Sequence, residues 1–182
     1  MSVPALKEWS AAVHALLDGR QRVLLRKGGI HEKRFRVSAG EFLLFPTVAH
    51  GHAERLRPEH RDLLGPAAAD STAQRVLIRA AARVTGAVQV DRPEGLEEIE
   101  DLHIWTTESV RADRLDFRPR QRLTVLILAV RALPEPIELA RTPEFGGCRS
   151  WLELPVPAGA VPPVPHTDAL AGITARVSAA VG

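Results

Sequence analysis

The chain has 182 residues, 45% apolar and 25% charged, with a formal net charge of +2. That is the composition of a soluble globular protein of about one domain, long enough to bury a core. It excludes a membrane-spanning helix, because no run of about 18 apolar residues occurs. The lone Cys148 excludes an internal disulfide.

A charge of +2 is too small to mark a nucleic-acid binder; only cations clustered on one face would do so. Lysine occurs at positions 7, 27 and 33 alone, so arginine carries almost all the positive charge. The opening MSVPALKEW holds an early acid and no apolar signal core, which makes a cytoplasmic location the expectation.

In chain order, Leu6, Trp9, Val13, Leu16 and Leu17 fall at helical spacing and predict a helix over residues 5–17, ended by Gly19 in a left-handed cap. Val23, Leu24 and Leu25 read as a short strand. Gly28-Gly29 breaks the pattern, alternation resumes at Phe35 and Val37, and residues 42–45 form a buried strand that Pro46 should end. Pro58 suits the first turn of a helix that Gly65-Pro66 closes.

Residues 75–90 carry the clearest strand signal. Val76, Ile78, Ala80, Ala82, Val84, Val88 and Val90 share one parity, against Arg79, Arg83, Thr85 and Gln89 on the other. The length of the segment implies a strong bend near Gly86. Thr106 is placed to cap a helix over residues 107–115, with Trp105 and Val110 as a hydrophobic staple.

Residues 123–133 are apolar on both parities until Arg131, as in a strand covered on both sides. The proline-rich stretch 134–145 should run extended over the surface, and residues 150–154 form the last strand. The expected class is α+β: a small, strongly bent mixed or antiparallel sheet or barrel with flanking helices. Its expected organisation is a single domain over 1–155, a Pro-rich linker over 156–166, and a C-terminal helix over 167–182 that must dock or fray.

Five separated segments, LKEWSAAVHALLDG, VLLRKGGI, FLLFPTVAH, IWTTESV and PEFGGCRSWLEL, resemble the uncharacterised DUF1802 family over residues 5–155. Some members are joined to a restriction-endonuclease-like domain, so the resemblance implies a DNA-directed context and a nuclease partner. The strand ending in RKGG and the long strand AARVTGAVQV also look like PUA-like barrels, including ASCH and EVE modules, which implies binding of RNA or of modified bases in DNA.

The cation cluster Arg22, Arg26, Lys27, Lys33, Arg34 and Arg36, with Gly28 and Gly29 opening the backbone, is the candidate phosphate-binding segment. It is read as a basic hairpin, and its bland alternative is a turn with solvated charges. Thr47, His50, Trp105, Arg149 and Ser150 are the candidate pocket residues, His50 because an imidazole can contact a ligand or serve as acid or base and Trp105 because an aromatic face stacks on bases. Phe45 and Trp151 are weaker platforms, and Trp9 reads as core.

His50, His52, Glu54 and His60 lack the convergence of a metal site, so no metal or other cofactor is assigned. Cys148 has no identifiable activating base. No lysine has an acid two positions before it, and Ser38 stands where an HxKxxxxD motif beginning at His31 needs aspartate. The leading expectation is therefore a non-catalytic nucleic-acid-recognition domain. An enzyme on a small nucleotide or phosphorylated metabolite, and a scaffold acting through its C-terminal helix, stay open.

Overall fold

The computed structural model describes residues 2–28 and 34–182. Its framework is one open six-stranded sheet in the order β2-β5-β4-β3-β1-β6. β1 (Val3–Trp9) runs parallel to β3 (Glu41–Thr47). β2 (Val23–Lys27), β4 (Arg75–Gln89), β5 (Leu123–Ala140) and β6 (Trp151–Leu154) make the remaining pairings, all antiparallel. The class is α+β with a mixed sheet, as expected.

Where helix was expected over residues 5–17, the chain forms β1 and then α1 (Ser10–Asp18). Ala5 and Leu6 each face β3 on one side and β6 on the other, and these two ladders override the helical spacing of Leu6 and Trp9. Gly19, at φ 84°, ends α1 as read.

Among the described residues β2 pairs with β5, and β3 with β1 and β4, so β2 and β3 do not pair with each other; the turn of the expected basic hairpin, residues 29–33, lies outside the described residues. Pro46 lies inside β3 and does not end it. β4 pairs only Glu41, Phe42 and Leu43, so Pro46 sits where no donor is required on that side. α3 (Leu64–Ala69) begins at the Gly65-Pro66 that was expected to close a helix, after a 3-10 turn over Pro58–Leu63.

β4 is the expected long strand, but its parity does not mark one face. The register against β5 shifts between Ile78 and Ala80 and again between Val84 and Gly86. Each shift inverts the pleat, so Val76 and Ile78 enter one core, Ala80, Ala82 and Val84 the opposite one, and Val88 and Val90 the first again. β5 is buried on both faces over Leu123–Ala129, as its unbroken apolar run implied, and residues 134–140 extend it as an exposed strand still paired to β4.

One core holds Leu43, Phe45, Val125 and Ile127. The other holds Leu6, Phe42, Leu44, Leu126 and Leu128 under Val13 and Leu16 of α1.

The C-terminal helix α5 (Ala169–Val181) docks against β4, β5 and the 3-10 segment Pro93–Leu102. Leu170, Val177, Ala180 and Val181 are buried there. Arg92 donates from Nε to the Gly182 carbonyl at 2.9 Å and from Nη2 to that of Ala179, placing a cation at the negative end of the helix. In the Pro-rich stretch before it, Val156 and Val164 are buried and the Pro163 carbonyl accepts from Arg131. Among the described residues no helix is long and apolar enough to cross a membrane.

Candidate functional site

The last three residues of β1 gather Arg26, Thr47 and Ser150 from among the polar groups singled out by the sequence. Glu8 is 3% exposed, and its carboxylate accepts from Arg26 Nη1 at 3.3 Å and from its neighbour's backbone, Trp9 N, at 2.8 Å. Arg26 also donates to the Lys7 carbonyl at 3.1 Å and lies 5.1 Å over the Phe35 ring. Thr47 Oγ1 donates to the Glu8 carbonyl at 3.2 Å. The next residue of β2 alternates to the other side: Lys27 Nζ donates to the carbonyls of Leu115, Phe117 and Arg118 at 3.3, 2.6 and 3.1 Å. The two cations of the RKG motif are thus engaged within the protein, tying the end of β2 to β1 and to the segment after residue 114.

That segment begins as expected. Thr106 Oγ1 accepts from Ser109 N at 3.1 Å and caps α4 (Thr107–Val110). The helix then widens into a π turn over Arg111–Asp116, a form frequent at functional sites. The turn carries Asp113, which accepts from Arg55 Nε at 2.7 Å, and Arg114. Burial pulls the Arg114 guanidinium below its usual pKa, with Glu8 opposing that shift and Arg26 adding to it. Its Nε is sealed from solvent without a hydrogen-bond partner. Arg26, Arg55 and Arg114 therefore face two carboxylates, Glu8 and Asp113, and one cation stays uncompensated.

An aromatic wall adjoins this cluster. Trp9 meets His52 edge-on at 4.0 Å and Trp105 edge-on at 4.8 Å, with Arg55 5.4 Å over its ring. Trp105 is 6% exposed, so its face is committed to the core and to Trp9. Burial, then Arg55, lowers the His52 pKa to about 4; burial, then Arg57, lowers that of His103 to about 3.

Both rings remain neutral in the fold at pH values where an unfolded histidine, near 6.5, already binds a proton. Stability is then fully present above pH 6.5 and falls as pH drops toward the folded values. Two protons are taken up on unfolding, worth roughly 1.4 kcal/mol per pH unit for each ring. Urea midpoints between pH 7.5 and 5 should fall accordingly, and His52→Phe should halve the slope.

The other expected site residues are dispersed. Arg22 is exposed at the opposite end of β2 from Lys27. Gly28 is buried, Arg34 and Arg36 are exposed, and Gly29 and Lys33 lie outside the described residues. His50 is exposed while His52 is buried, because the turn at Gly51 separates them before α2 (His52–Arg55). Thr47 opens into a cleft with Phe45 and Arg141, whereas Trp105 lines a different, narrow one with Trp9 and Arg114. Arg149 is exposed, and Ser150 gives its carbonyl to Lys7 N at 2.8 Å.

Sequence reading missed Glu8, Arg55, Asp113 and Arg114. The strand parity of Glu8 with Leu6 could have indicated a buried acid, but nothing in the sequence set Arg114 apart from its neighbours.

Exposed arginines without a carboxylate partner among the described residues flank the end of β2 on both sides. Arg34 and Arg36 bracket Phe35, the ring beneath Arg26. Arg118 and Arg120 follow the carbonyls that hold Lys27. Arg118 has φ 51°, the one positive value at a non-glycine position among the described residues. Its side chain lies 4.9 Å over the Phe117 ring. Left-handed backbone at a residue with a Cβ is strained, and strain of this kind collects at functional sites.

Fold and site together define an α+β domain with an open mixed sheet and an arginine-rich rim at one end of its edge strand. The chain belongs to the family described as "Domain of unknown function (DUF1802)", which it matches over residues 5–176. The match reaches into α5, farther than the motifs alone indicated. No curated protein matches the chain.

Among solved structures it is similar to ASCH from Zymomonas mobilis. The TM-score is 0.41 and the identity 13%, with 69% of this chain covered. The match spans 65% of that chain, just under two thirds of its length. It is also similar to two point-mutant forms of the same protein, each 14% identical. One has a TM-score of 0.43 over 74% of this chain and 72% of that one, the other 0.45 over 83% and 88%.

Proposed function

We propose that this chain is a non-catalytic nucleic-acid-recognition domain that holds the phosphate backbone along the arginine rim at the end of β2. The observation that carries the reading is the flanking of that end by Arg34 and Arg36 on one side and Arg118 and Arg120 on the other, all exposed and free of ion pairs among the described residues. Guanidinium groups bind phosphate through paired N–H donors, and neutralising several phosphates releases counterions. Arg26 and Lys27 act one layer deeper, fixing Phe35 and the 115–118 carbonyls from which the rim projects.

Such interactions supply affinity and orientation without reading sequence. By the same proposal the chain acts in a restriction setting in which a partner domain or protein performs the cleavage, and what supports it is the family resemblance.

The test compares wild type with Arg34→Gln/Arg36→Gln/Arg118→Gln/Arg120→Gln on labelled single- and double-stranded DNA and RNA. Arg61→Gln serves as a control for charge elsewhere. The rim variant should bind at least about tenfold more weakly at low salt. Its log–log salt slope should shrink by roughly 0.7–0.9 for each phosphate that the substituted side chains no longer neutralise. Equal weakening in the Arg61 control would reduce the effect to net charge and remove the rim from the account.

A further inference from the structure

Beside the rim, α4 and the π turn form a second cleft against the 3-10 segment Pro93–Leu102. Its volume is about 280 Å³. Leu96, Val110 and Leu115 give it an apolar floor, while Glu94, Glu97, Glu100 and Asp116 stand around it. Arg111 is the one arginine in the lining, so four carboxylates against one guanidinium leave three uncompensated negative charges on a chain whose total charge is +2. None of the four acids forms an ion pair among the described residues. A surface of this sign repels the phosphates that the neighbouring rim attracts.

Charge alone would not make this a site, and the floor supplies a second feature. His103 is 2% exposed and lines the cleft. Its Nδ1 accepts from Trp105 N at 3.1 Å, so the proton of the neutral ring is on Nε2. That N–H has no partner among the described residues. This nitrogen is not among the side-chain atoms sealed from solvent without a partner, and the ring lines the cleft, so an occupant carrying an acceptor can take its hydrogen bond.

We propose that this cleft docks a basic, apolar-containing peptide segment of a partner polypeptide. One apolar side chain fills the floor over Leu96, Val110 and Leu115. A main-chain carbonyl accepts from His103 Nε2, and flanking Lys or Arg side chains meet Glu94, Glu97, Glu100 and Asp116. A polyamine has the charge but no acceptor for His103, and a nucleotide has acceptors but the wrong charge for the rim of the cleft. The peptide meets all three requirements, and its binding is independent of the phosphate-binding reading.

The experiment titrates the full chain with a fluorescein-labelled, amidated octapeptide of alternating Lys and Leu, and with its Glu/Leu counterpart. Saturable binding of the basic peptide alone is expected. Glu94→Gln/Glu97→Gln/Glu100→Gln should weaken it about tenfold, and His103→Phe by several-fold with the melting temperature tracked in parallel. Should His103→Phe fail to fold, the ring N–H resonance of His103 in the wild-type protein replaces it and must shift on peptide addition. Absence of wild-type binding overturns the proposal. So does weakening in the triple variant with no response at His103, which would mean diffuse charge attraction and no docking.

Discussion

Gly95→Ala is expected to unseat the C-terminal helix and to cost about 3 kcal/mol or more, the upper range for overpacking, because the obstruction is backbone and cannot rotate away. A Cβ at residue 95 would stand 1.9 Å from the Ala180 carbonyl oxygen and 2.6 Å from its carbon. Relieving that clash means lifting the end of α5. The Val181 carbonyl would then be parted from its donors Asp91 N and Arg92 N, at 2.8 and 3.0 Å.

Val177 and Val181, fully buried in the native seat, each represent roughly 1.5–3 kcal/mol of burial. Urea unfolding should show the destabilisation, and hydrogen exchange should localise it to amides of α5. Gly172→Ala is the matched control: nothing lies within 4 Å of its added Cβ, and the change should stabilise by about 0.5–1 kcal/mol through helix propensity. A Gly95→Ala protein as stable as wild type, with α5 protected from exchange, would mean that the close seat is wrong.

The second large effect is expected at Glu8. Removing its carboxylate leaves Arg26 and Arg114 facing each other's charge without their shared acid, and breaking a buried pair in this way costs about 3–5 kcal/mol. Glu8→Ala should therefore lower the urea midpoint more than a cavity of that size would. Arg114→Met should be neutral or stabilising, since it exchanges a half-buried cation whose Nε is sealed without a partner for an apolar chain of similar length. The double variant should be destabilised less than the two single changes summed, a coupling that a double-mutant cycle reads directly. Additive changes would separate Arg114 from the Glu8 cluster.

The legible parts of the chain were those where local chemistry decides. Gly19, the Thr106 cap and the two-sided apolar run of β5 stand as read. The illegible parts were set by partners far along the chain. Ala5 and Leu6 are strand because β3 and β6 lie beside them, 38 and about 147 residues away. The parity of β4 ran true through the sequence, yet two register shifts moved its middle residues to the other core; Gly86 marked the second, between Val84 and Gly86, but no residue marked the first, between Ile78 and Ala80.

The basic segment was visible at once, but the way its charges divide was not. Strand alternation sends Arg26 to Glu8 and Lys27 to backbone carbonyls, leaving Arg34 and Arg36 outside. Arg118 and Arg120 join them only because Lys27 reaches across 91 residues to the Arg118 carbonyl. Arg114 and His103 matter through burial and missing partners, which composition does not encode.

The most direct measurement of the central claim is the salt dependence of binding to a labelled 20-nucleotide single strand, taken from about 50 to about 300 mM salt. Phosphate binding by the four rim arginines predicts a linear fall of log affinity with log salt, with a slope near −3, roughly 0.7 for each of four phosphates. A flat salt response, or no binding at the lowest salt, would contradict a phosphate-holding rim at the end of β2.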